Sequence, residues 1–144
     1  MASVRRWRAP AVFVLVAAVV VTQLARDGDT VIAAVVGTAL LVLAWFGSPV
    51  RGRRDPTHAQ ALRRAAHGEV VVYWRPGCPY CARLLAALRG RRGWLRVNIW
   101  QDPEAAAFVR THNGGDEVVP TVLVGEETWT NLEPARVRAV LGSI

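Results

Sequence analysis

The run Val70-Val71-Val72-Tyr73-Trp74 constrains this chain more than any other feature. It is β-branched and aromatic without a polar break, the pattern of a strand buried on both faces. Pro76-Gly77 turns the chain directly after it, and Cys81 to Arg89 reads as a helix with Leu84, Leu85 and Leu88 at core spacing. Leu95, Val97 and Ile99 then alternate as a second strand, which completes a β-α-β unit.

The flanking segments read as the rest of a small α/β domain over residues 55–144. Asp55-Pro56 has the form of an N-cap followed by proline at the first helical position, for a helix that runs to about His67 and closes at Gly68. Asp102-Pro103-Glu104 repeats that signature for a helix through about Arg110, and Asn113-Gly114-Gly115 forms a turn. Thr121 to Val124 and Thr128 to Thr130 form short strands joined across Gly125-Glu126-Glu127, a hairpin spacing. A last helix has Pro134 in its first turn, Val137, Val140 and Leu141 on its apolar face, and Gly142 as its stop.

Residues 1–54 have a different character. The apolar content of 52% and mean hydropathy of +0.21 are high for a wholly soluble chain of 144 residues, and residues 9–25 and 30–50 carry no charge. Each stretch is close to the ~20 residues that cross a hydrocarbon core about 30 Å thick, so the expectation is a hairpin of two transmembrane helices. Gly37, Ala39 and Ala44 are small enough to let the two helices approach closely. A cleaved signal peptide fits less well, because Gln23 stands where a small residue is needed before the cut and a second apolar stretch follows almost at once.

Charge supports the same division. All 18 basic residues are arginine and the net charge is +7. Up to Arg54 there are seven arginines against Asp27 and Asp29, a balance of +5, which leaves +2 for the remainder. A charge concentrated around apolar stretches points to membrane topology and away from nucleic acid. Arg5, Arg6 and Arg8 precede the first stretch, and Arg51, Arg53 and Arg54 follow the second in a basic linker after Gly47-Ser48-Pro49. The positive-inside rule then places both termini and the domain beyond Arg54 on the cytoplasmic side of the plasma membrane.

In that reducing compartment a close cysteine pair is catalytic or metal-binding more readily than structural. Cys78 follows a strand and a turn and precedes a helix, so its sulfur falls near unpaired helix N–H groups that favour thiolate, the attacking species in disulfide exchange. Cys81 lies one turn on, within reach of a mixed disulfide on Cys78. A closed zinc site needs four ligands; no second cysteine pair exists, and His58, His67 and His112 read as ordinary surface residues, so no metal is expected.

Trp74-Arg75-Pro76-Gly77-Cys78-Pro79-Tyr80-Cys81 resembles the active-site segment of dithiol glutaredoxins, and the β-α-β then β-β-α order is similar to theirs. The resemblance implies a thioredoxin-like α/β fold with a central four-stranded mixed sheet, here preceded by the two transmembrane helices. Gln101 to Ala106, Asn113-Gly114-Gly115 and Val119-Pro120-Thr121 are most similar to the mycoredoxin branch, which uses mycothiol where other glutaredoxins use glutathione. It further implies Cys78 as nucleophile, Cys81 as resolving thiol, and a cis Pro120 facing them with the Val119 backbone open to substrate. Arg75 and Tyr80 would contact the small thiol. Many glutathione-dependent relatives have a Gly-Gly or Gly-Cys step and then an acid after the last strand; Trp129-Thr130-Asn131-Leu132 departs from this, so Thr130 and Asn131 would offer hydrogen bonds to a different thiol, although Asn131 also suits a helix cap.

The expected activity is reduction of mixed disulfides at the membrane. Mycothiol or glutathione serves as co-substrate with no tightly bound cofactor, and the partners are the lipid bilayer and oxidised or thiolated proteins near it. Two other functions fit the same features: an iron-sulfur cluster carrier, which Pro79 and Cys81 disfavour, and a membrane assembly or anchor module with incidental thiols.

Overall fold

The computed structural model describes residues 2–48 and 55–143. The chain divides into two compact units, Met1–Arg51 and Gly52–Ile144. Pro49 and the linker residues Arg51, Gly52, Arg53 and Arg54 lie outside the described residues.

The first unit is a pair of helices, α1 (Ala2–Arg26) and α2 (Thr30–Phe46), joined through Gly28 at φ 87°. Small residues form their shared face. Ala17, Ala33, Gly37 and Ala44 are buried, and a Cβ added at Gly37 would sit 2.8 Å from Val21 Cγ2. Ala39, expected at this contact, is exposed instead. The outward faces are strongly apolar, with Leu15, Val31, Val35 and Trp45 all exposed.

The expectation of two transmembrane helices is corrected here: among the described residues no helix is long and apolar enough to cross a membrane. The second apolar stretch yields a helix of only 17 residues because Gly47 ends it, and at about 1.5 Å per residue this reaches ~25 Å, short of a ~30 Å core. In α1 the helix continues back through Arg5, Arg6 and Arg8, so its greater length adds charged residues rather than apolar ones.

The second unit is built on β1 (Val70–Trp74), every residue of which is buried. β1 pairs in parallel with β2 (Trp94–Asn98) and antiparallel with β3 (Thr121–Val124), which pairs antiparallel with β4 (Glu127–Thr130). The order β2-β1-β3-β4 is the mixed four-stranded sheet expected. Side chains alternate along β1 between two cores. Val71 and Tyr73 pack with Ala61, Ala65, Ala105 and Val109, hence with α3 (His58–Ala65) and α5 (Pro103–His112). Val70 and Val72 pack with Leu84, Leu88 and Val137, from α4 (Pro79–Ala87) with its end and α6 (Pro134–Ser143).

Several element ends differ from the sequence expectation. The N-cap of α3 is Thr57, whose hydroxyl accepts from Gln60 N while the Gln60 side chain accepts from Thr57 N, a full capping box. Asp55 is drawn away to a pair of long-range partners. Helix α4 starts at Pro79 because Cys78 itself is the cap, and α6 runs through Gly142 rather than stopping there. His58 is half-buried against Tyr73 and Phe108, not a surface residue, and burial lowers its basicity.

Asp102 ties two helix starts together. Its Oδ1 accepts from Glu104 N at 2.9 Å and Ala105 N at 3.2 Å, and its Oδ2 accepts from His58 N at 2.6 Å. Loss of a cap that also holds a second helix should cost about 1–2 kcal/mol. Urea unfolding of Asp102→Ala followed by near-UV circular dichroism is expected to show that loss as a lower midpoint with an unchanged slope.

Candidate functional site: a dithiol at a helix N-terminus

The chain leaves β1 through half-buried Arg75, buried Pro76 and Gly77, whose φ of 75° is the left-handed conformation that glycine adopts at little cost. This turn delivers Cys78 to the N-cap of α4 with extended backbone, φ −90° and ψ 111°. Pro79 occupies the first helical position, where a missing N–H loses nothing. The Cys78 sulfur accepts from Cys81 N at 3.1 Å. That bond and the helix dipole both favour negative charge on the sulfur, so thiolate is stabilised as nucleophile and as leaving group.

Cys78 and Cys81 are joined as a disulfide, with Cα atoms 5.2 Å apart. Their exposure separates their roles: Cys78 is 9% exposed and Cys81 is fully buried. An incoming disulfide reaches Cys78 first, and Cys81 is placed to attack only what Cys78 has already bound.

The Val119–Pro120 segment lies next to Cys78. The Val119–Pro120 bond is cis, as expected, and the Val119 carbonyl lies 3.5 Å from Cys78 Sγ. Beside it opens a cleft of about 240 Å³ lined by Tyr80, Arg83, Leu84, Pro120, Asn131, Leu132, Glu133 and Pro134. The structure thus brings Tyr80, Pro120 and Asn131 together on one cleft. Asn131 adopts φ 52°, a left-handed conformation that asparagine tolerates better than most residues, and α6 starts three residues later, so it does not cap that helix.

Two expected thiol-binding residues do not line this cleft. The Thr130 hydroxyl donates to Asn113 Oδ1, and Asn113 in turn donates to Val109 O at 2.8 Å, so Thr130 fastens β4 to the end of α5. Arg75 is not among the residues that line the cleft.

Arg83 and Glu133 also line the cleft, although sequence pattern does not single them out. Tyr80 and Arg83 are three residues apart on α4 and so share a face. That spacing reveals Arg83 once the helix is started at Pro79 rather than Cys81. Glu133 directly follows Leu132 and supplies the acidic side chain that Trp129 to Leu132 lacks. With both a cation and an anion on its wall, the cleft suits a polar thiol. Arg83→Ala is expected to raise KM for a small-thiol mixed disulfide roughly three- to tenfold with kcat unchanged, the pattern of a lost ground-state contact worth about 1 kcal/mol. Steady-state kinetics on a glutathionylated or mycothiolated peptide measures it.

Comparison with known proteins agrees with this geometry. The glutaredoxin family profile matches residues 70–129, from the start of β1 into β4. Mycoredoxin 1 of Corynebacterium glutamicum is 39% identical over 59 residues, 41% of this chain and 73% of that protein. A glutaredoxin-like protein of Mycobacterium tuberculosis is 38% identical over 77 residues, 52% of this chain and 92% of the relative. The profile match spans the strand, the dithiol and the cis-proline just described, and the alignments cover most of each relative, so this chain belongs to the glutaredoxin family and is a glutaredoxin-like thiol-disulfide oxidoreductase.

Proposed function

We propose that this protein reduces mixed disulfides formed between proteins and mycothiol, through Cys78. The observation that carries the reading is the position of Cys78: it caps α4, accepts the Cys81 N–H, and stands beside a polar cleft next to Pro120. The Cys78 thiolate attacks the sulfur of the small thiol, a new Cys78–S bond forms, and the protein leaves as its thiolate. A second small thiol then attacks this adduct to give the oxidised small-thiol disulfide and free Cys78. Alternatively Cys81 attacks, releasing the small thiol and leaving the Cys78–Cys81 disulfide, which two further thiol equivalents reduce.

Preference for mycothiol is supported by the name of the Corynebacterium relative. The lack of an acid in Trp129 to Leu132 does not add to that support, since Glu133 lies on the cleft. The test offers purified Cys81→Ser protein equal amounts of a mycothiolated and a glutathionylated peptide and identifies the adduct by intact mass. A mycothiol adduct on Cys78 is expected, with none on Cys78→Ser. Equal or faster loading with glutathione refutes the mycothiol preference, and an adduct carrying the peptide instead of the small thiol refutes the reaction order.

We further propose that the α1–α2 pair holds the domain at the inner face of the plasma membrane. Its exposed apolar surface is larger than isolated surface residues account for, and the arginines that flank the pair suit the anionic inner leaflet. Oxidised or thiolated proteins close to the bilayer are then its substrates. When membranes are pelleted at physiological ionic strength the chain is expected in the pellet, and its cysteines should resist a membrane-impermeant maleimide in intact cells. A chain found only in the supernatant refutes the attachment, while labelling in intact cells refutes the orientation.

A further inference from the structure

Asp55 has an environment that neither helix capping nor thiol chemistry accounts for. Its side chain is only 7% exposed. Oδ2 accepts from the indole Nε1 of Trp74 at 2.7 Å, and Oδ1 accepts from Arg96 Nε at 3.0 Å. The Arg96 guanidinium lies over the Trp74 ring, 5.2 Å from its centre. The Trp74 carbonyl accepts from Ile99 N at 3.0 Å. The indole, 3% exposed, is therefore held at its edge by a carboxylate and on its face by a cation, while the backbone beneath it is fixed to the end of β2.

Trp74 is the last residue of β1. Only Arg75, Pro76 and Gly77 separate it from Cys78, and no strand pairing steadies those three. The direction in which the chain leaves Trp74 thus fixes where the sulfur sits relative to Cys81 N and the Val119 carbonyl. We infer that Asp55 is a positioning residue for Cys78, acting through the Trp74 indole to hold the nucleophile in its helix cap.

The negative charge on Asp55 is not itself what stabilises the fold. Burial is the largest influence on the Asp55 carboxyl and raises its pKa above the ordinary 3.8, with the Trp74 and Arg96 hydrogen bonds and the Arg96 charge offsetting it only in part. The folded protein therefore holds this proton more tightly than the unfolded chain does. As pH rises from the unfolded value through the folded one, ionisation of Asp55 removes stability rather than adding it. An amide at this place would keep an acceptor for the indole without a buried charge, whereas an apolar residue would leave the indole N–H without this acceptor. A carboxylate is nonetheless the acceptor aimed at the indole, whose buried N–H needs one.

The test measures the rate of Cys78 alkylation by iodoacetamide against pH, in the reduced full chain carrying Cys81→Ser, alongside the melting temperature. Asp55→Ala and Trp74→Phe are expected to raise the midpoint of the alkylation profile by roughly half a pH unit or more, since a loosened cap stabilises the thiolate less. Asp55→Asn, which keeps an acceptor for the indole, is expected to restore most of the original midpoint. The inference is overturned by a lower midpoint in Asp55→Ala, which is the sign that simple removal of a nearby negative charge produces. It is equally overturned by an unchanged midpoint with a reduced melting temperature, which marks a merely structural residue. Should Asp55→Ala fail to fold, Trp74→Phe keeps an aromatic ring at the site while removing the indole N–H, and it decides the question. Mixed-disulfide exchange by the parent Cys81→Ser protein tests the proposed function separately, so failure of one does not imply failure of the other.

Discussion

The thiol domain depends on a strand that has no exposed face. Because β1 is covered by α3 and α5 on one side and by α4 and α6 on the other, its five residues cannot shift register without moving an entire set of side chains into the wrong core. Parallel pairing with β2 and antiparallel pairing with β3 fix it laterally. The segment that leaves β1 therefore starts from a rigid origin, and that segment carries the nucleophile.

Three independent pieces of chain meet at Cys78: the exit from β1, the start of α4 and the Val119–Pro120 segment before β3. Their chemistry is complementary. The helix start supplies an N–H and a favourable dipole, the strand exit supplies position, and the proline segment supplies a carbonyl and a wall of the substrate cleft. Burial then makes the two sulfurs unequal although their residue type is the same. The polar network from Asp55 through Trp74 to Arg96 links the end of the strand to β2.

The helical pair in residues 2–48 obeys different rules. Its buried positions are alanine and glycine, which lets backbones approach and brings Val21 against Gly37, while many of the large aliphatic side chains point outward. This inverts the arrangement of the thiol domain, where large side chains fill the interior. A helix pair that turns valine and leucine outward requires an apolar environment or partner, and the length of each helix bears on which.

Local pattern alone was enough to locate β1, β2, the dithiol, the final hairpin and most helices, because each rests on the period of a few neighbouring residues or on a turn chemistry readable within them. The Cys78-Pro79-Tyr80-Cys81 segment could likewise be read as a redox site from its neighbours. Tertiary structure decided the rest, and it did so wherever a side chain's partner lies far along the chain. Asp55 looked like a cap until Trp74 and Arg96, 19 and 41 residues away, claimed its carboxylate. Thr130 looked like a ligand contact until Asn113 took its hydroxyl, and Arg83 and Glu133 became a pair of cleft residues only when α4 and the start of α6 were brought together. Hydrogen-bond acceptors and charges go to the best partner in space, and sequence spacing carries no record of that competition.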